Sequence, residues 1–288
     1  MEVKTILDRL YAARSPRHLA NDPLSFCHRY SDPADREVAA VIASAFAYGG
    51  IKIILRTLES IFLELGPSPR SYVESFSPVR SLEAFSGFKH RFNDGRDLVA
   101  LLWGIRRMLE DAGSVNAFFL RFHDPAAHDV TTALNGYSSA VLAMDYRPVF
   151  GKEGIPAGSY FPFLFPAPAA GSACKRLCMF LRWVVRPADG IDLGIWRGVS
   201  PSRLVIPVDT HICRICTYLG FTRRTSADWR MACEITAALR RLDPDDPVRY
   251  DFSLAHLGIS EGCTGADPLH CLSCAIRDIC PQTGMPTR

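Results

Sequence analysis

The chain has 288 residues, 48% of them hydrophobic and 22% charged, as in an ordinary soluble protein of one large domain or two lobes. No apolar run reaches the roughly 20 residues that a membrane helix needs, and Met1-Glu2-Val3-Lys4 lacks the basic and apolar regions of a signal peptide. A membrane-embedded or secreted protein is therefore disfavoured, and the cytoplasm is the expected location. The net charge of +3 is too small to mark a nucleic-acid partner by itself. Of the 33 basic residues only Lys4, Lys52, Lys89, Lys152 and Lys175 are lysine, so arginine, suited to bidentate phosphate contacts, dominates.

Helical periodicity prevails along the chain. Val38, Val41, Ile42 and Ala45 predict a helix over 37–48, and Gly49-Gly50 interrupts it. Ile51, Ile54, Leu55, Leu58 and Phe62 then share one face of a second helix that Gly66 and Pro67 end. Further helices are expected near 97–112, 114–122, 130–144, 175–186, 210–219, 226–242 and 247–257. Thr225-Ser226-Ala227-Asp228 reads as a capping box opening the helix over 226–242. Neither an alternating strand pattern nor a repeat stands out, and the fold class is all-α. Residues 146–174 differ: five prolines there forbid a long helix, and Tyr146, Phe150, Tyr160, Phe161, Phe163 and Phe165 are interleaved with them. The resulting division is an N-terminal helical region over 1–145, an aromatic, proline-rich loop over 146–174, a second helical region over 175–262, and a cysteine loop with tail over 263–288.

Ten cysteines in a cytoplasmic protein do not suggest disulfides. Six are scattered, whereas Cys263, Cys271, Cys274 and Cys280 crowd the C-terminus as C-x7-C-x2-C-x5-C. Four thiolates so spaced can ligate a [4Fe–4S] cube or a zinc ion. Cys213 and Cys216 form another C-x-x-C and could share a zinc site with Cys271 and Cys274. They lie inside a predicted helix, however, where cysteine serves as a small buried residue.

Pro207-Val208-Asp209-Thr210-His211-Ile212-Cys213-Arg214 resembles the Val-Asp-Thr-His stretch of the endonuclease III-like DNA glycosylases, the helix-hairpin-helix superfamily. In its iron–sulfur members a helical run of similar length separates this stretch from a four-cysteine loop; here 53 residues separate Asp209 from Cys263, and the first cysteine gap is one residue longer. The resemblance runs over roughly 20–280 and is tightest from 174 onward, and the whole pattern is most similar to a bacterial family of unknown function. It implies a glycosylase-like bundle of helices in two lobes, a [4Fe–4S] cluster rather than zinc on the four cysteines, double-stranded DNA as partner with no obligate protein partner, and a place at the bacterial nucleoid. Aligned on Ala43-Ser44-Ala45-Phe46-Ala47-Tyr48, Phe46 falls where relatives insert a wedge into the duplex, with Tyr48 beside it.

The chain also departs from its relatives. The glycine-rich hairpin and its lysine are absent before Asp209; Ile191-Asp192-Leu193-Gly194-Ile195-Trp196-Arg197-Gly198 stands there instead. Lys175 opens an apolar helix 34 residues upstream of Asp209, which is similar to the archaeal oxoguanine glycosylases. Thr264 to His270 holds no lysine or arginine, unlike the basic cluster loops of relatives.

The chemistry implied by the resemblance is base excision. Cleaving an N-glycosidic bond builds positive charge on the sugar, which a carboxylate such as Asp209 can stabilise, besides capping the helix that starts at Thr210. A neutral amine of Lys175 could attack the sugar and form a Schiff base, adding strand cleavage. Arg203, Arg214, Arg223 and Arg224 lie near the motif and are candidates for phosphate contacts. Two other readings compete: a catalytically inactive nucleic-acid-binding protein of the same fold, and an iron–sulfur redox protein.

Overall fold

The computed structural model describes residues 2–281, apart from Ser15 and Ala266. Helix α1 (Val3–Ala13) leads into two short 3₁₀ helices, Pro16–Asn21 and Pro23–Arg29. Next come α2 (Pro33–Ala45), α3 (Ile51–Leu65), α4 (Pro69–Ser75) and α5 (Pro78–Ala84). A hairpin of β1 (Lys89–His90) and β2 (Asn93–Asp94) follows, then α6 (Gly95–Ala112), α7 (Val115–Leu120), α8 (Thr131–Leu142) and α9 (Arg147–Phe150). The C-terminal part contains α10 (Lys175–Val185), α11 (Thr210–Tyr218), α12 (Trp229–Arg240), α13 (Asp251–Ile259) and α14 (Pro268–Ser273). The all-α class holds: the two-residue strands of the hairpin are the only ones among the described residues. No described helix is long and apolar enough to cross a membrane.

Local chemistry sets the helix ends. Asp32 caps α2 by accepting from the Ala34 amide at 2.8 Å, with Pro33 in the first helical position, so the helix starts four residues before the expected 37. Gly49, at φ +100°, makes the break between α2 and α3 where the glycine pair predicted it. The capping box expected at Thr225–Asp228 is not the cap in use: α12 begins at Trp229, and Asp228 alone caps it through the Met231 amide at 2.8 Å. A true capping box opens α6 instead, with Asp94 and Asp97 bonding each other's amides.

Helix α2 is buried on every side from Glu37 to its end and sits at the centre, packed against the Pro23–Arg29 turn and α10. Its Glu37 is buried, yet its carboxylate is satisfied: it accepts from the Val115 and Asn116 amides at 3.0 and 2.8 Å and from Trp196 Nε1 at 2.7 Å. One side chain thus ties α2 to the start of α7 and to Trp196 in the segment before α11. A single connected apolar core runs from Ile6 to Ile276. The segment 146–174 is partly a plug for that core, since Tyr146, Phe161 and Phe165 are buried, but Tyr160 and Phe163 remain exposed.

Candidate active site

A cavity of about 660 Å³ opens between the Tyr48–Gly50 turn with the start of α3 on one side and α10, α11 and α13 on the other. Its size is typical of small-molecule sites. Lys175 and Asp209 both line it. Lys175 is the first residue of α10, entered through Cys174 in the left-handed conformation (φ 48°), a costly shape for a non-glycine residue. The lysine is partly buried, and its amine donates to the Ala47 carbonyl at 3.2 Å. Burial pushes its pKa down, against the pull of Asp209, Asp22 and Asp251. Asp209 caps α11, as the sequence suggested: Oδ1 accepts from the His211 and Ile212 amides, each at 2.8 Å. Oδ2 takes no part in the cap.

Sequence reasoning missed four further ionisable groups in the cavity wall: Asp22, Arg182, Asp251 and His256. Asp251 starts α13 and is buried against Arg182; burial pushes its pKa up to about 6, against the attraction of that arginine. His256 is 4% exposed and bonds Ser260 Oγ through Nδ1 at 2.8 Å, while Nε2 has no hydrogen-bond partner. Asp22 Oδ2 lies 3.9 Å from that nitrogen. Burial opposes ionisation of Asp22, but His256 and the Leu24 amide outweigh it and hold its pKa low. In sequence Asp251 precedes, and His256 interrupts, the largely apolar stretch Phe252-Ser253-Leu254-Ala255-His256-Leu257, which does not by itself show that they face a cavity.

His211, also in the wall, packs directly on Gly258 of α13. A Cβ at Gly258 would stand 2.2 Å from His211 Nδ1, so α11 and α13 approach this closely because a side chain is absent there. Gly258→Ala is expected to destabilise the protein by about 1–3 kcal/mol through overpacking, read as a lower midpoint in thermal or urea unfolding. An unchanged midpoint would show that His211 swings away without cost.

The expected DNA-contact residues fare unevenly. Phe46 departs from the wedge expectation: it is fully buried, edge-on to Phe88 and His90, because the end of α2 is enclosed on every side, and its ring presents no face to solvent. Tyr48 lines the cavity mouth, with its hydroxyl donating to His90 O at 2.9 Å and Asn93 Oδ1 at 2.5 Å. Arg214 is turned inward, donating to the Cys263 carbonyl and touching His211 Nδ1 at 3.2 Å, so it braces the cysteine loop. Arg203 lies away from the cavity, reaching the His128 carbonyl at 3.5 Å, and Arg224 pairs with Asp228. Arg223 is exposed.

The cysteine loop is anchored on the helix that Asp209 caps. Besides the Arg214 bond, the Tyr218 hydroxyl donates to Thr264 O at 3.1 Å, and the Tyr218 ring lies against Gly265, where a Cβ would come within 2.4 Å. The Cys263 amide donates to Leu257 O at 2.9 Å, joining the loop to α13 as well. Cys263 and Cys271 are buried, Cys274 and Cys280 partly so, and none of the ten cysteines is in a disulfide. Burial and the neighbouring charges of Cys263 and Cys280 raise the thiols of both Cys271 and Cys274, so the four lie in one another's electrostatic range. Among the described residues no three potential ligands stand in metal-holding geometry. As a donor set, four thiols in one loop suit a soft metal centre. Cys216 is fully buried in α11 and Cys213 partly so, as expected of small packing residues.

Fold and site together define an all-α protein whose main cavity joins a lysine of depressed pKa to several carboxylates. The chain belongs to the family described as a protein of unknown function, DUF2400, which matches residues 22–260. That span includes Lys175, Asp209 and every ionisable group of the cavity named above, and stops before the cysteine loop. No curated protein and no solved structure matches the chain.

Proposed function

We propose that the protein is a DNA glycosylase with associated lyase activity, of the endonuclease III-like kind, that excises a damaged base and carries a [4Fe–4S] cluster on Cys263, Cys271, Cys274 and Cys280. The observation that carries this reading is the convergence of Lys175 and Asp209, 34 residues apart in sequence, on one cavity. A damaged nucleotide flipped from the duplex would enter it. The neutral Lys175 amine attacks C1′; the N-glycosidic bond breaks, and its electron pair leaves on the base nitrogen, which takes up the proton lost by the amine. Asp209, whose Oδ2 is not used in the cap, stabilises the positive charge on the sugar. Ring opening gives the imine. In that opening the remaining amine proton passes to the ring oxygen; His256 Nε2 can then remove the C2′ proton, the Asp22 carboxylate beside that nitrogen stabilising the imidazolium formed, so that the C3′–oxygen bond breaks and phosphate departs.

Duplexes each bearing one lesion, incubated with the protein and borohydride, test the reading: a covalent adduct and a released base are expected on at least one. Binding without base release would favour an inactive nucleic-acid-binding protein, and absence of binding to intact and abasic duplex at low salt would overturn both.

The four thiolates would hold the cluster, which would tie residues 263–280 to one another, while Arg214, Tyr218 and the Cys263 amide anchor that loop on α11 and α13. Protein purified without oxygen is expected to contain four irons per chain, as the cube requires. Cys274→Ser is expected to lose the iron and destabilise the C-terminal segment, whereas Cys216→Ser, buried in α11, keeps it. Stoichiometric zinc without iron in the wild type would refute the assignment.

A further inference from the structure

Three rings stand exposed beside the cavity mouth: Phe92 at the tip of the β1–β2 hairpin, and Tyr160 and Phe163 from the proline-rich segment, 43–49% accessible. Phe92 and Tyr160 are stacked, with centroids 5.3 Å apart and planes at 22°, while Phe163 meets Phe92 edge-on at 6.4 Å. Three exposed rings in mutual contact make a contiguous apolar patch, the kind of surface that marks an interaction site.

The cluster is held rigidly. Buried Asp97, at the start of α6, accepts from Asn93 Nδ2 at 2.9 Å and from Ser159 Oγ at 2.6 Å, clamping hairpin and aromatic segment together. Arg176 donates to the Phe163 carbonyl and lies 4.2 Å from the Phe163 ring centroid and 4.9 Å from that of Tyr48. Tyr48 is at once a wall of the cavity and a 5.1 Å neighbour of Phe163. The platform therefore continues the cavity's lip.

The hairpin carries two cations, Lys89 and Arg91, and one carboxylate, Asp94, which stands opposite Lys89 in register and caps α6. Lys89 and Arg91, both exposed on the hairpin, form no ion pair among the described residues. Arg91 is left-handed at φ 53°, with its guanidinium 5.5 Å from the Phe92 centroid and its stem against Gly49 of the cavity rim. Flat apolar faces flanked by unpaired cations match a ligand that is itself flat, aromatic and tied to an anion.

We infer that Phe92 and Tyr160, with Arg91, form a stacking platform for an unpaired nucleobase of a DNA strand whose phosphate Arg91 and Lys89 contact. The inference rests on the nucleic-acid reading of the adjoining cavity. It differs from the sequence expectation by moving the aromatic contact from buried Phe46 to the hairpin tip.

The test uses the full chain and a duplex with 2-aminopurine opposite a tetrahydrofuran abasic-site analogue, beside the same duplex fully paired. Wild type is expected to bind the first duplex more tightly and to change the probe's emission. Phe92→Ala and Tyr160→Ala should each weaken that binding about tenfold, the scale of one lost base–aromatic stack, and abolish the emission change. Binding to the paired duplex should be preserved, and Phe92→Trp should restore the wild-type response. Both residues are about half exposed, so their truncation leaves the core intact, and an unchanged unfolding midpoint verifies it. If the alanine variants bind and respond as wild type does, the platform is overturned while DNA binding stands. If wild type binds neither duplex, the nucleic-acid reading falls and takes the platform with it, leaving the patch to a polypeptide partner.

Discussion

Lys175→Gln is expected to abolish the borohydride-trapped adduct and to lower strand cleavage by a factor on the order of 10³ or more, as for removal of a covalent nucleophile. Glutamine can still donate to the Ala47 carbonyl that now holds the amine, but has no nucleophilic lone pair. No other lysine lines the cavity, and Lys152 is exposed elsewhere, so an undiminished adduct in this variant would exclude the proposed chemistry. The pH dependence has a definite sign. A base whose folded pKa is lowered is neutral at pH values where an ordinary lysine is still charged, so trapping should rise through a pH below the ordinary lysine range of about 10.4. The same shift costs stability: the unfolded chain holds the proton more tightly, and stability is lost as pH falls from that range toward the folded pKa. Lys175→Gln removes this cost, so at neutral pH the variant should be at least as stable as wild type while inactive. Asp209→Asn gives the matching result from the other side. Asparagine caps a helix about as well as aspartate, so fold and DNA affinity should persist while base release is lost.

Much of the architecture was legible because the signals were local. Helices with a clear apolar stripe, such as that of Ile54, Leu58 and Phe62 in α3, lie where periodicity put them. Apart from α1, of 11 residues, the helices not foreseen are short: α4, α5 and α14 each start at a proline after a serine or aspartate, a signal present in the sequence but too brief to show a period. Lys175 and Asp209 could be singled out because one heads an apolar helix and the other caps one. Asp22, Asp251 and His256 could not, since nothing local distinguishes a polar residue facing a cavity from one facing solvent. Their grouping depends on α13 lying against α11, which in turn depends on Gly258. Phe46 shows the reverse error: aligned by motif to a surface role, it is buried because both sides of α2 are covered. The hairpin bearing Phe92 has two-residue strands, too short for alternation to appear.

Arg182→Met is expected to cost about 3–5 kcal/mol at neutral pH, the scale for removing one partner of a buried ion pair. Arg182 is 4% exposed and lies between Asp192, at 3.2 Å, and Asp251. Methionine keeps the apolar stem but not the charge. Asp192 retains Arg186, which also pairs with Asp246 at 2.9 Å, whereas Asp251 forms no second ion pair among the described residues. The loss should therefore depend on pH in a particular direction. The Asp251 pKa is already raised to about 6 by burial, against the pull of Arg182; without that pull it must rise further. For an acid whose folded pKa exceeds its unfolded value near 3.9, the destabilisation is absent below the unfolded pKa and grows as pH climbs through the folded one. Urea unfolding of Arg182→Met should accordingly show a deficit at pH 7.5 that shrinks toward pH 5, and Arg182→Met with Asp251→Asn should recover part of it at the higher pH. A deficit under about 1 kcal/mol, or one that deepens on acidification, would show that the arginine is not the counter-ion on which Asp251 depends. The consequence reaches the cavity, because Asp251 is one of the carboxylates acting on Lys175. If Asp251 becomes neutral, the lysine loses one source of support for its proton, and the amine should become nucleophilic at still lower pH in whatever fraction of the variant remains folded.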